Sequence, residues 1–185
     1  KAWDDADAAK AQPAWKLDYY LGRISALEGD CADMVTAYRD ALKANDALSS
    51  DVHLNADVVA CLDKAEERAT KLLRDRLGKN AVKPLKAYIV NASVPASARL
   101  SAIQLLEELG ALDRGDARTA LVDIVKSGEP CKVRREAVLR IASMKDKAAR
   151  EPLAGVLKDS EPGAPQAKAN ACLVGALQET LRGFE

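Results

Sequence analysis

The 185 residues are 48% hydrophobic and 30% charged, with 28 Lys and Arg set against 28 Asp and Glu. That mixture suits one ample domain or two small ones with a buried core, and excludes a disordered chain. Zero net charge and 4% aromatic content argue against nucleic acid as a partner, because phosphate binding needs excess cations and base stacking needs rings.

No apolar run reaches the roughly 20 residues that a membrane-spanning helix requires, so no membrane contact is expected of this segment. The chain begins at Lys1, as expected of a processed protein or of a segment cut from a longer one.

Nearly every segment carries the apolar period of a helix and none alternates with period two, so the expected class is all-α. The opening "WDDADAAK" is acidic and alanine-rich. It reads as a linker or capping helix within residues 1–14, and its carboxylates lack the glycine turn of a calcium loop. From Trp15 to Gly29, Leu17, Tyr20, Leu21, Ile24 and Leu27 share one stripe. From Cys31 to Asn45, Met34, Val35, Tyr38, Ala41 and Leu42 share another, and Gly29-Asp30 is the turn between the two helices. "DVHLNADVVACL" and "AEERATKLLRDRLG" read as a third and fourth helix. With helix stops at Gly29, Gly78, Gly110, Gly128 and Pro130, about eight to ten helices joined by short loops are expected.

The second half repeats itself. A shift of 35 residues lays Pro95 on Pro130 and Pro165, Arg99 on Arg134, and the small residues Ala102 on Ala137 and Cys172, where neighbouring helices are expected to approach closely. The same shift lays Ile103 on Val138 and Leu173, and Leu106 on Ile141. Each Pro is expected to open a helix, where its missing N–H costs nothing. Between these segments run "NAVKPLKAYIV", "DARTALVDIV" and "AAREPLAGVL", so residues 79–185 read as about three stacked helix pairs in one continuous domain.

Residues 95–183 resemble HEAT-type repeats, with "KVRREAVLRIASM" (Lys132 to Met144) the clearest copy and the last copy degenerate. The order Leu21-Gly22, Gly29, Tyr38, Ala41-Leu42 is similar to a tetratricopeptide unit, within residues 15–78. It departs at Ser25, where an aromatic is usual, and at Asp46, where a closing Pro is usual. Only one such unit is visible, as expected of the last in an array that begins upstream.

A tetratricopeptide-like unit followed by HEAT-like pairs, with cysteines in "PCKVRREAV" and "NACLVGALQETL", resembles the C-terminal regions of some bacterial serine/threonine kinases of the eukaryotic type. The resemblance implies an α-α superhelix acting as a non-catalytic protein-binding or regulatory module of a larger signalling protein. The chain holds no Gly-rich nucleotide loop, "HRD" or "DFG". A free-standing envelope repeat protein with a structural role is one alternative. A HEAT-like enzyme is another; it would need a pocket of buried acids and aromatics, and the tyrosines available are Tyr19, Tyr20, Tyr38 and Tyr88.

Cys31, Cys61, Cys131 and Cys172 form no C-x-x-C pair, and with His53 the one histidine they spell no zinc set. No cofactor is expected. The four read either as small buried apolar residues or as two disulfides. If the helix from Cys31 runs up and the one ending at Cys61 runs down, the two cysteines lie level. Antiparallel neighbours about 8–10 Å apart then allow the Cα separation of about 5.5 Å that a bond needs. Cys131 and Cys172 stand in equivalent helices but about 9 Å out of register, unless the loop "KDSEPGAPQ" shifts the last helix. An even count with local partners favours an oxidising compartment, periplasm or envelope, over the cytoplasm.

Other polar candidates have plainer readings. His53 has no Cys or Ser nucleophile beside it and reads as a surface residue. Trp3 and Trp15 read either as partner anchors or as packing for the end of the stack. "KVRREAVLR" is expected to put Arg134, Arg135 and Arg140 on a solvent face, neutralised by Glu136, Asp146 and Glu151. Glu107 and Glu108 carry nothing that marks a glycosidase pair. For a protein or peptide partner, the candidate contacts are Arg99, Arg134 and Arg135.

Overall fold

The computed structural model describes residues 13–184, and every regular element among them is helical. Trp3 and the "WDDADAAK" segment lie outside the described residues. The chain divides into two compact units, one ending at Pro84 and one beginning at Leu85.

The described part of the first unit starts with a helical hairpin of α1 (Ala14–Glu28) and α2 (Cys31–Ala44). Its two-residue turn does two jobs. Gly29, at φ 77°, donates its N–H to Ala26, and the Asp30 N–H reaches Ser25 at 2.9 Å. These paired bonds satisfy the last carbonyls of α1, and the left-handed φ suits a residue without Cβ. The Asp30 carboxylate then accepts the Asp33 N–H at 3.1 Å and caps α2. A 3-10 turn (Asp46–Ser50) leads to α3 (Val52–Ala60). There Asp51 caps the helix by accepting from the Leu54 N–H at 2.8 Å. Next comes α4 (Glu66–Leu72), which runs on as a π turn through Leu77.

Met34, Val35, Tyr38, Ala41 and Leu42 are buried, together with Leu54, Val58, Leu62, Leu73 and Leu77. The stripe of α1 is not. Leu17 is 64% and Leu27 82% exposed, and Tyr20, Leu21 and Ile24 are exposed between them. Gly22 is the one buried residue of α1. At about 100° per residue Gly22 lies on the side of the helix opposite Leu17 and Ile24. Periodicity identified residues that share a face, but α1 meets α2 through its small residue and turns the apolar face outward.

In the second unit, α5 (Val82–Val90), which spans the division, is followed by α6 (Ala96–Glu108), α7 (Arg114–Lys126), α8 (Cys131–Met144) and α9 (Arg150–Lys158). Pro95 and Pro130 stand directly before α6 and α8. Of the lag-matched core positions, Ala102, Ile103, Leu106, Ala137, Val138, Ile141 and Leu173 are buried, whereas Cys172, the third of the small-residue series, is exposed.

The third copy departs from the pattern. Pro165 does not open a helix; the single turn α10 (Ala167–Asn170), a 3-10 turn (Ala171–Leu173) and α11 (Val174–Arg182) replace the continuous helix. Two tertiary ties act at this break. Asn170 is buried and accepts from Arg134, and Cys172 lies at bonding distance from Cys131.

Candidate functional site

In the first unit, polar side chains set the rotation of α1. The Tyr38 hydroxyl donates to Asp57 Oδ2 at 2.5 Å, and Arg23 of α1 pairs with the same carboxylate oxygen. Tyr19 of α1 donates to Asp51 at 3.2 Å, and its ring centre lies 5.9 Å from that of Tyr38. Burial, then the bond to Asp57, pushes the Tyr38 phenol above the ordinary tyrosine value, so it stays a donor. Burial and Asp51 act on Tyr19 in the same direction.

With its inner side held this way, α1 presents Leu17, Tyr20, Leu21, Ile24 and Leu27 to solvent. Full burial of each such side chain is worth about 1.5–3 kcal/mol. A contiguous apolar face of this kind is the signature of an interaction surface.

A second feature lies between α2 and α4, where a groove of about 480 Å³ opens. Val35 and Leu72, both buried, form its floor beside Thr36. Arg39 and Lys43 rise on the α2 side; Arg68, Lys71 and Arg76 rise on the other, and Asp75 is the one acid in the lining. These cations were not singled out from the sequence. Arg39 and Lys43 are four residues apart and Arg68 and Lys71 three apart, spacings that put each pair on one helix face. That local signal was legible, but the facing of the two pairs across a groove was not.

The arginines proposed as partner contacts take different places. Arg99 and Arg134 are 4% and 5% exposed, which corrects the expectation of both as partner contacts and of Arg134 on a solvent face. Arg99 Nε donates to the Ile89 carbonyl at 2.7 Å and its guanidinium reaches the Ala120 carbonyl at 3.3 Å. Arg134 repeats the arrangement one copy later. Its Nε donates to Val125 O at 2.8 Å, Nη1 to Ala169 O at 3.0 Å, and Nη2 to the Asn170 side chain.

Each guanidinium thus ties the end of the preceding helix to the next one, and its charge complements the negative helix terminus. Burial draws both below the ordinary arginine value, opposed at Arg99 by Asp123, and both stay charged. The 35-residue recurrence of arginine is therefore a packing signal.

Arg135 is exposed. Arg140 sits 3.6 Å from Glu107 and 4.0 Å from Glu136, while Asp146 pairs with Arg118 at 2.9 Å. Arg134→Ala is expected to cost roughly 2–4 kcal/mol, because two carbonyls and Asn170 lose a charged donor inside the protein. Arg135→Ala is expected to stay within about 0.5 kcal/mol. Urea denaturation of the two variants checks the contrast, and equal midpoints would refute it.

Both cysteine pairs are brought together. Cys31, the first residue of α2, and Cys61, which ends α3, have Cα atoms 5.5 Å apart and sulfurs at bonding distance. Cys131 and Cys172 have Cα atoms 6.4 Å apart, also with bonded sulfurs. The break in the last helix removes the register mismatch, since Cys172 sits in the 3-10 turn rather than along a continuous helix.

His53 is exposed, in the first turn of α3, and Trp15 is half-buried with Lys16 Nζ 5.9 Å from its ring centre. No helix among the described residues is long and apolar enough to cross a membrane. Comparison with protein families, with curated proteins and with solved structures finds no match for this chain.

Proposed function

We propose that the chain is a non-catalytic protein-binding module of the helical-repeat kind, tetratricopeptide-like at its start and HEAT-like after it, serving a larger signalling protein. The reading of that larger protein as a bacterial serine/threonine kinase rests on the motifs quoted from the sequence. The observation that carries the binding role is the outward apolar face of α1, five large side chains held in solvent by a polar network beneath them. Its spacing of i, i+3, i+4, i+7 and i+10 suits an amphipathic helix of a protein partner laid along it. Two cysteine pairs at disulfide distance support a site of action in an oxidising compartment outside the cytoplasm.

The test uses Leu17→Asp with Leu27→Asp. Both positions are exposed, so the fold is expected to melt within a few degrees of wild type. Partners captured by cross-linking are identified by mass spectrometry and the complex is rebuilt from purified components. Affinity is expected to fall about 100-fold, from roughly 1.5 kcal/mol lost at each leucine. Equal affinities for wild type and variant would sink the proposal.

A further inference from the structure

We infer that the groove between α2 and α4 binds an acidic peptide segment carrying an apolar side chain. The inference rests on the reading of the chain as a protein-binding module and adds the chemistry of one ligand. Its first support is an imbalance of charge. The protein as a whole is neutral, with 28 cations against 28 anions. Yet this groove gathers Arg39, Lys43, Arg68, Lys71 and Arg76 around one lining acid, Asp75. Two carboxylates beside the lining are already engaged. Asp40 holds Lys43 at 2.9 Å and stands 3.4 Å from Arg39, and Asp46 lies 3.2 Å from Arg76.

Arg68 and Lys71 have no ion-pair partner among the described residues. Counting Asp40 and Asp46 with Asp75, the cations still exceed the acids. Like charges lining one groove raise a common positive potential, which salt screens over a Debye length of roughly 8 Å at physiological ionic strength. Carboxylates entering the groove relieve that repulsion and accept paired bonds from arginine.

The floor decides between classes of anion. Val35 and Leu72 make it apolar, and no aromatic side chain lines the groove on which a base would stack. Nucleic-acid strands are held by stacking platforms along a basic track. A groove of about 480 Å³ with an apolar floor and cationic walls instead matches a few peptide side chains, one of them apolar and its neighbours acidic. Of the cations, Arg68 and Lys71 are the pair free to take the ligand's carboxylates.

Fluorescence anisotropy of a labelled dodecapeptide of aspartate and glutamate, with leucine at every fourth position, tests the inference on the full chain. Binding is expected at about 50 mM salt and is expected to weaken several-fold at about 200 mM, as screening predicts. Arg68→Glu with Lys71→Glu is expected to weaken it at least about tenfold, and the neutral pair Arg68→Gln with Lys71→Gln by less. Replacing the peptide's leucines with alanine is expected to weaken binding further.

Absence of binding by wild type at about 1 mM protein would overturn the inference, as would equal binding by a charge-reversed variant with an unchanged circular-dichroism melt. So would an oligonucleotide of equal charge that competes as well as the peptide itself. Leu17→Asp with Leu27→Asp is expected to leave peptide binding intact. If the peptide fails while the α1-dependent partner still binds, the groove inference falls and the module reading stands. If the partner binds wild type and the α1 variant alike, the module reading falls whatever the peptide does.

Discussion

Opening the Cys31–Cys61 bond is expected to lower the stability of the first unit by roughly 3–4 kcal/mol, the loop-entropy value for closing a chain of this length. The bond joins the start of α2 to the end of α3 across 30 residues of sequence. It is the covalent tie in a unit whose helix α1 buries a single residue. A loss of that size is a large fraction of the stability of a domain this small.

The two bonds are expected to open in order. Cys31 and Cys61 are each 6% exposed, whereas Cys172 stands exposed and Cys131 half-buried. Thiolate attack on a disulfide requires access, so graded reduction followed by alkylation and mass spectrometry is expected to label Cys131 and Cys172 first. Urea melts of Cys31→Ser with Cys61→Ser measure the stability term. A midpoint equal to that of the oxidised wild type would refute it, and four free thiols in protein isolated under denaturing alkylation would remove the case for an oxidising compartment.

Gly22→Ala is expected to destabilise the hairpin by roughly 1–3 kcal/mol, the usual cost of overpacking a close contact. Helix propensity alone predicts the opposite, since alanine improves on glycine by about 1 kcal/mol in a helix interior. Packing decides the sign. A Cβ on Gly22 would press into the Tyr38 ring at Cδ1 and Cε1. That ring has no room to swing away, because it is fully buried and its hydroxyl is held by Asp57.

Gly155→Ala is the control. Gly155 is exposed within α9, and a Cβ there meets nothing within 4 Å, so the substitution is expected to stabilise by up to about 1 kcal/mol. Thermal melts of the two variants test the difference in sign. Combining Gly22→Ala with Tyr38→Leu is expected to recover part of the packing loss while giving up the bond to Asp57. A stabilised Gly22→Ala would show that α1 does not meet α2 closely.

Much of the local structure is legible in the residues. The Gly29-Asp30 turn needs only a glycine for the left-handed φ and an aspartate to cap the next helix, and both are adjacent in the chain. The apolar stripe of α2 is buried as its period requires, as are the lag-matched positions of α6 and α8 from Ala102 to Ile141. In the third copy Leu173 is buried and Cys172 is exposed. The cysteine geometry could be framed as a question of level, and α2 and α3 bring Cys31 and Cys61 level.

What the residues could not reveal are choices among packing partners. Leu17, Tyr20, Leu21, Ile24 and Leu27 repeat with the same period as a core face, yet α1 is turned by the Gly22–Tyr38 approach and by bonds from Arg23 and Tyr19 to acids on and beside α3. Arg99 and Arg134 look like surface charges in a linear chain. Their burial becomes affordable through carbonyl acceptors at the ends of other helices, whose positions depend on how those helices meet. The same is true of the groove cations, which lie on two separate helices until packing sets them face to face. Helix period, turn chemistry and repeat lag are properties of neighbours along the chain, so composition and order settle them. Which face is inside, which charge is buried and which stands unpaired are properties of neighbours in space, and they were decided when the helices packed.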